Sequence, residues 1–439
     1  MKPKVYQFFL ALFAAFGSFL YGYDLGVIAS VVASDSFVDK FLSVDSSTRS
    51  GTVVALFTAG AFFGAFAAGF TDPLGRRGTL VLGAVLFVIG GVLQTAAEVI
   101  AMLLGLQILP ALGLAICAML LPESPRWLVD HDQSEKALQT LAKLHANGNV
   151  EDPYVQAEFE IITAQILDEH ENAAKSFKEL FKDRANSRRI ITACVCQASA
   201  QMTGVSAFQY FSPTIFDQMG ISAGRTLLYQ GFNSIIGELA QFIFFFLIDR
   251  VGRRPLQIWG NLACCAALVI GAALLAEFPP STTDNLGAQW AFIVASTWVF
   301  NFCFCASGTM SWIIPAEIFN TATRTRGVSI ATMVSFAFNT LIGQVTPIAM
   351  AKVGWKFYLL FIVCDITNAL WFYLFLPETK GLKLEAMDDL FANSPWVVVG
   401  SKWKPGIEAD VNRLAEKKTH LAEYHYDRTE VASKAAEPT

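Results

Sequence analysis

An all-α fold that crosses a membrane many times is what this sequence predicts, and three observations predict it. The 439 residues are 54% hydrophobic and only 16% charged. The apolar residues gather into runs of about 20, the length an α-helix needs to cross a bilayer core of roughly 30 Å. These runs are far longer than the roughly 10-residue alternating strands of a membrane barrel, and only helices or closed barrels satisfy their own backbone groups in lipid. The formal net charge of −5 says less than where the charges fall.

Ten spans follow in order. Span 1, Val5–Val32, comes after Lys2 and Lys4; it is too long for a signal-peptide core and lacks a small-x-small cleavage site, so it is expected to be retained. Spans 2 and 3, Thr52–Phe70 and Thr79–Ala97, flank the polar loop "DPLGRRG". Span 4, Val99–Leu121, is 23 residues long with only Gln107 polar and with Pro110 as a tolerable kink. The segment 122–189 is polar. In "SEKALQTLAKL", Leu138, Leu141 and Leu144 recur at helical spacing, and "DPYVQAEFEIITAQIL" opens with Asp152 as an N-cap and Pro153 at the first helical position. Spans 5 to 10 are Ile190–Phe211, Leu227–Ile248, Leu256–Ala276, Trp290–Ile314, Val328–Met350 and Phe357–Leu376. The tail beyond Pro377 is polar and reads as partly disordered.

An even count puts both termini on one side. Loops on that side (71–78, 122–189, 249–255, 315–327) hold 16 Lys and Arg, against five on the other: Lys40, Arg49, Arg225, Lys352 and Lys356. The positive-inside rule therefore places both termini and the 122–189 bridge in the cytoplasm. The domains read as 1–121, an N-terminal bundle; 122–189, a cytoplasmic helical linker; 190–376, a six-helix bundle; and 377–439, a cytoplasmic tail.

Enzymatic chemistry is not indicated. The eight cysteines, Cys117, Cys194, Cys196, Cys264, Cys265, Cys303, Cys305 and Cys364, all fall in apolar runs, where a thiol is a small core residue. The five histidines lie in polar segments and read as solvated. There is no nucleophile–base set, phosphate loop or metal cluster, and nothing points to nucleic acid.

The chain repeats itself. "DPLGRRG" (Asp72–Gly78) follows span 2 and "DRVGRRP" (Asp249–Pro255) follows span 6; "LPESPRWL" closes the first half and "LPETKGL" closes the membrane part of the second. Such repeats mark transporters built from related halves. From Asp72 to Pro122 is 50 residues, while from Asp249 to Pro377 is 128. The first half is short by 78, about two spans with their loops, and has no counterpart to the loop "PAEIFNTATRTRG" (Pro315–Gly327).

"GSFLYGYDLGV", the two Gly-Arg-Arg loops, "PESPRWL", "QMTGVSAFQYFSPTIF", "GTMSWIIPAEIFNTATRTRG" and "PETKGL" together resemble the sugar porter family of the major facilitator superfamily, over nearly all of residues 5–390 and with a fungal flavour. The resemblance implies two six-helix bundles, a central sugar site and alternating access. It also implies a fourth and fifth span between the equivalents of Leu104 and Gly105, which this sequence lacks, so about 10 spans stand where the family has 12.

The resemblance further implies a sugar site at Gln201, Ser206, Tyr210, Ser335, Asn339 and Trp312, the last covering the ring and taking part in gating. Amides and hydroxyls match sugar hydroxyls, and aromatic faces match the C–H surface of the ring. The sequence departs from the family at Ala200-Gln201, where a Gln-Gln pair is common, at Ser206 and Gly237, where Asn is frequent, and at Ser335-Phe336, where Asn-Trp or Gln-Trp is usual. Asp24, deep in span 1, resembles the aspartate of proton-coupled members, whose partner arginine sits on the absent fourth span; coupling by protons is expected to be lost or altered. Glu238 in span 6 fits either an interior hydrogen-bonded group or a coupling or binding role, since an intramembrane acid is a functional candidate by default. Asp365 in span 10 reads as structural. Arg76, Arg77, Glu123, Arg126, Asp249, Arg250, Arg253, Arg254, Glu317 and Arg324 match a cytoplasmic gate of ion pairs between bundles. No Lys or Arg lies mid-span, which favours a neutral sugar or polyol. The expected activity is secondary transport, with protons as the coupling ion in the ancestral form, no other cofactor, the bilayer and a small sugar as partners, and the plasma membrane as location. Oligomeric state is left open. The alternative is a truncated, non-transporting form, or a sensor or regulatory partner of a full-length carrier.

Overall fold

The computed structural model describes residues 46–71, 74–95, 122–172, 181, 183–221, 223–278, 285–319, 321–382 and 384–401, with isolated positions between 4 and 26. Most of span 1, and the whole of span 4 with its seam at Leu104–Gly105, lie outside the described residues.

Every regular element among the described residues is helical. The first half contributes α1 (Ser46–Ala68) and α2 (Gly75–Thr95). The bridge forms α3 (Pro125–Asp130), α4 (Ser134–His145) and α5 (Pro153–Asn172). Asp152 caps α5 as the sequence predicts, its Oδ1 accepting from the Tyr154 N–H at 2.9 Å. Leu141 and Ala142 of α4 pack on Val155 of α5, so the bridge has a small core of its own.

The second half holds α6 (Arg184–Met202), α7 (Val205–Asp217), α8 (Ala223–Val251) and α9 (Arg253–Glu277). Next comes α10, Leu286–Ile318, with a π-helical stretch over Ile293–Val299, then α11 (Thr321–Val353), α12 (Tyr358–Phe375) and α13 (Leu384–Asn393). Two expectations change. The fifth span is not one helix: it breaks at Gly204, whose φ of 91° is open to glycine, and the chain resumes at Val205. The expected loop Pro315–Gly327 is almost wholly helical, since α10 runs to Ile318 and α11 begins at Thr321. Pro315 is tolerated near the end of α10 because few hydrogen bonds remain to be lost there.

By length and composition five stretches can cross a membrane: Thr48–Ala68, Leu228–Val251, Arg253–Glu277, Leu286–Ile318 and the continuous Thr323–Phe375. Arg77–Gly90 is a shorter apolar helix. Phe242 and Phe245 of α8 are 66% and 69% exposed, an arrangement suited to lipid rather than water.

Aromatic packing fills the second half. Phe208, Phe216, Phe292, Phe300 and Phe361 share one cluster, and Phe319, Phe372 and Phe391 share another. The chain beyond α12 is strapped to the start of α6. Arg188, only 2% exposed, donates to the Ser394 carbonyl at 2.9 Å, to Ser394 Oγ at 2.7 Å and to the Pro395 carbonyl at 2.9 Å. The Phe391 and Trp396 rings lie against its guanidinium.

The halves meet along α1 and α11. Thr58 and Thr340 share a hydroxyl hydrogen bond of 2.8 Å, and Ser329 Oγ donates to the Ala65 carbonyl at 2.7 Å. A Cβ on Gly51 would lie 2.8 Å from the Gln344 carbonyl, and one on Gly343 would lie 2.9 Å from Val54. Small residues let the two backbones approach, as in membrane helix pairs generally.

Candidate functional site

The break at Gly204 builds the site. Its backbone turn brings Ser206, at the start of α7, back onto Gln201 near the end of α6. Ser206 Oγ donates to Gln201 Oε1 at 2.5 Å. Asn339 Nδ2 of α11 donates to the same oxygen at 3.0 Å, and Gln201 Nε2 donates to Ser335 Oγ, also on α11, at 3.0 Å. Three predicted residues therefore converge on the amide of a fourth, Gln201. The second oxygen of this hub, Asn339 Oδ1, is buried without a hydrogen-bond partner. The four side chains carry no charge, so the hub suits hydroxyl-bearing neutral molecules.

Tyr210 is 2% exposed and packs with Phe211 against Val54 and Phe57 of α1, at the junction of the two halves. Trp312 stands on α10, half exposed at 50%, and forms no hydrogen bond with the hub among the described residues. Asp24 lies outside the described residues. Glu238 is exposed on α8 beside Leu239. Its neighbour Gly237 faces α10, where a Cβ would sit 2.8 Å from Asn301 Nδ2. That contact fixes the Gly237 face of α8 against α10. It also explains why position 237 is small: the Asn301 amide fills the space and donates to the Asn233 carbonyl at 2.9 Å.

The cytoplasmic charges form a second site. Arg253 donates to both carboxylate oxygens of Glu317, at 3.2 and 2.8 Å, and to Asp249 at 3.1 Å. Such a two-point guanidinium–carboxylate pair is geometrically specific. Arg254 donates to the Tyr373 carbonyl at 2.5 Å, and Arg324 to the Phe319 carbonyl at 3.3 Å. Lys380 Nζ reaches the Arg250 carbonyl at 2.7 Å. The ion pairs among Asp249, Arg253 and Glu317 thus lie within the second half. Arg76's side chain lies outside the described residues; Arg77, Glu123 and Arg126 are half-buried beside the first loop.

One residue that the sequence reading did not single out is Glu378. Its carboxylate accepts from the backbone N–H groups of Arg253 at 3.0 Å and Arg254 at 3.1 Å, capping the start of α9. It lies against Gly252, whose φ is 102° and where a Cβ would come within 2.7 Å of it. The first half repeats the device: the Glu123 carboxylate would lie 2.9 Å from a Cβ on Gly75, whose φ is 71°. The signal was the pairing of "PES" with "PET" across the internal repeat.

Comparison with known proteins follows this geometry. The chain matches the family described as sugar (and other) transporter over residues 10–103 and 100–391. The match is in two segments that meet beside the seam at Leu104–Gly105. The high-affinity glucose transporter of Kluyveromyces lactis is 26% identical over 481 aligned positions, covering 89% of this chain and 86% of that protein. The hexose transporter HXT13 of Saccharomyces cerevisiae is 27% identical, over 92% and 86%. Both alignments run longer than the 439 residues of this chain. The solved structure of the proton:xylose symporter XylE bound to 6-bromo-6-deoxy-D-glucose superposes with a TM-score of 0.71 at 20% identity, covering 88% of this chain and 99% of that one. That likeness shows the major facilitator fold. The relatives are membrane transporters rather than enzymes, and this chain, matched over residues 10–103 and 100–391, belongs to the sugar transporter family of the major facilitator superfamily.

Proposed function

We propose that the chain carries a neutral monosaccharide or polyol across a membrane by alternating access, and that the hub around Gln201 is the second half's share of the binding site. One observation carries this: Gln201, Ser206, Ser335 and Asn339 converge from three helices into one uncharged hydrogen-bonding cluster. In the bound state sugar hydroxyls exchange for these internal bonds, each worth about 0.5–1.5 kcal/mol net. Tyr210, buried at the junction of the halves, reports their approach, and Trp312 supplies an aromatic face to the ring. Protons are the coupling ion of the ancestral form, with Asp24 as the acceptor and Glu238 as a second coupling group; without the span that holds Asp24's partner arginine, that coupling is lost or altered in this chain. Both termini and the 122–189 bridge lie in the cytoplasm, and the membrane is the plasma membrane. The domain boundaries remain those read from the sequence. Arg76, Arg77, Glu123, Arg126, Asp249, Arg250, Arg253, Arg254, Glu317 and Arg324 serve as the inner gate, the second-half members acting as a preassembled block.

The test is hexose uptake by a host that has no hexose carrier of its own. Gln201→Ala lowers uptake at least about tenfold while the amount of protein in the membrane stays within about twofold; roughly 1.4 kcal/mol corresponds to that factor. Unchanged uptake by Gln201→Ala removes the hub from the binding site. The division of the family match at residues 100–103 supports a second reading, in which the chain is a non-transporting form that partners a complete carrier. Uptake above background by this chain alone rules that reading out.

A further inference from the structure

Asp365 lies on α12, fully buried, with neither carboxylate oxygen hydrogen-bonded. Two contacts fix its surroundings. Arg254 reaches the Tyr373 carbonyl, and Cys265 Sγ reaches the Ile362 carbonyl at 3.8 Å. These set α9 and α12 antiparallel, with Asn261 level with Ile366 and therefore about 1.5 Å along the axis from Asp365. Asn261 and Gln257 are also fully buried.

The hydrogen-bond accounting in this seam is lopsided. Asn261 spends its amide donor on the Gln257 carbonyl at 2.7 Å. Gln257 spends its own on Ser199 Oγ of α6 at 3.5 Å. Asn368, one turn along from Asp365, spends its donor on the Ser199 carbonyl at 3.4 Å. Each of these three amides keeps a second N–H; the atoms left with no partner are Asn261 Oδ1, Gln257 Oε1 and both oxygens of Asp365, all buried. Buried polar groups are ordinarily satisfied, and a buried carboxylate is ordinarily paired with positive charge. Here the titratable groups near Asp365 are the thiols of Cys264 and Cys265 on α9 and of Cys364 on its own helix. Among the described residues no Lys, Arg or His pairs with it.

We infer that the seam between α6, α9 and α12 binds a small monovalent cation, sodium or a proton, with Asp365 holding its charge and the Asn261 side-chain oxygen supplying neutral coordination. A carboxylate with a neutral side-chain oxygen beside it is the chemistry such a cation selects. The site stands on its own residues and its test uses no sugar, so its failure leaves the transport reading untouched.

The experiment is thermal melting of the purified full chain in lipid nanodiscs. Sodium chloride is exchanged for choline chloride at equal ionic strength, over a series of pH values. The wild type melts in a sodium-dependent or pH-dependent way, and Asp365→Asn loses that dependence. Dependence on sodium assigns the site to sodium; dependence on pH alone assigns it to a proton. Should Asp365→Asn fail to accumulate, Asn261→Ala takes its place and reduces the wild-type dependence at least about threefold. Wild-type melting that is flat in both sodium and pH, or a dependence equal in wild type and variant, overturns the inference.

Discussion

At Gln201 a single side-chain amide bonds three side chains from two other helices. Its identity as a site residue was legible through the family motifs, as were Ser206, Ser335 and Asn339. Their mutual bonding was not. It depends on a backbone turn at Gly204, and a sequence gives residue types along a chain, not which side chains a turn folds together. The signal was present in "QMTGVSAF", where a glycine interrupts an otherwise helical run, but an isolated glycine is also tolerated inside helices. The turn carries its own prediction. A Cβ at position 204 would lie 2.8 Å from the Phe361 ring, at a φ of 91°. Gly204→Ala should destabilise the protein by about 1–3 kcal/mol, a typical value for a non-glycine residue held in that backbone region. Melting of the purified variant measures it; an unchanged melting temperature would mean that the turn relaxes freely. Glu238, for which the sequence allows either an interior or a coupling role, is exposed on α8, while the neighbouring Gly237 fits against Asn301. Neighbours one residue apart on a helix point about 100° apart, so burying one turns the next aside.

The spans were mostly legible as elements, since apolar length is the signal that lipid imposes. Their ends were less so. α11 starts at Thr321 rather than near Val328, because helix continues through "TATRTRG", whose residues are polar. Hydropathy marks where a helix meets lipid, not where it begins. The charged loops show a similar limit. Their residues were legible from the repeated Gly-Arg-Arg motif, yet the resolved Arg253 pairs close within one half. Arg253 is well buried at its side chain, 12% exposed, while Glu317 is 29% exposed. The partial shielding gives this pair more weight than an open surface pair, which is worth about 0–1 kcal/mol. Glu317→Gln should therefore lower stability by about 1–2 kcal/mol. In a double-mutant cycle, Arg253→Gln should add much less on top of it than it does alone. Additive losses would show that the two side chains do not act as a pair. The capping of α9 by Glu378 fixes the start of that helix to the chain beyond α12, and the Glu123 carboxylate lies against Gly75 in the corresponding place of the first half.

For the whole molecule, fold class, internal duplication and the position of the seam were all legible. The shortened first half came from counting residues between repeated motifs, and the family match divides at the same place. The way the halves meet was not legible. Contact runs along α1 from Gly51 to Ala65 against α11 from Gln344 to Ser329, about 21 Å of helix at 1.5 Å per residue. Thr58, Thr340 and the two close-approach glycines look unremarkable in a hydropathy profile, because small residues at a helix crossing leave no periodic signal. This long contact places Tyr210 at the junction of the halves and the Gln201 hub one helix behind it. Alternating access about that contact is the central claim, and hexose counterflow tests it most directly. Proteoliposomes containing this chain alone are preloaded with unlabelled hexose, and radiolabelled hexose is added outside. The account predicts a transient accumulation of label above equilibrium, abolished by Gln201→Ala. Label that stays at the level of protein-free liposomes, with the chain inserted and folded, would contradict it.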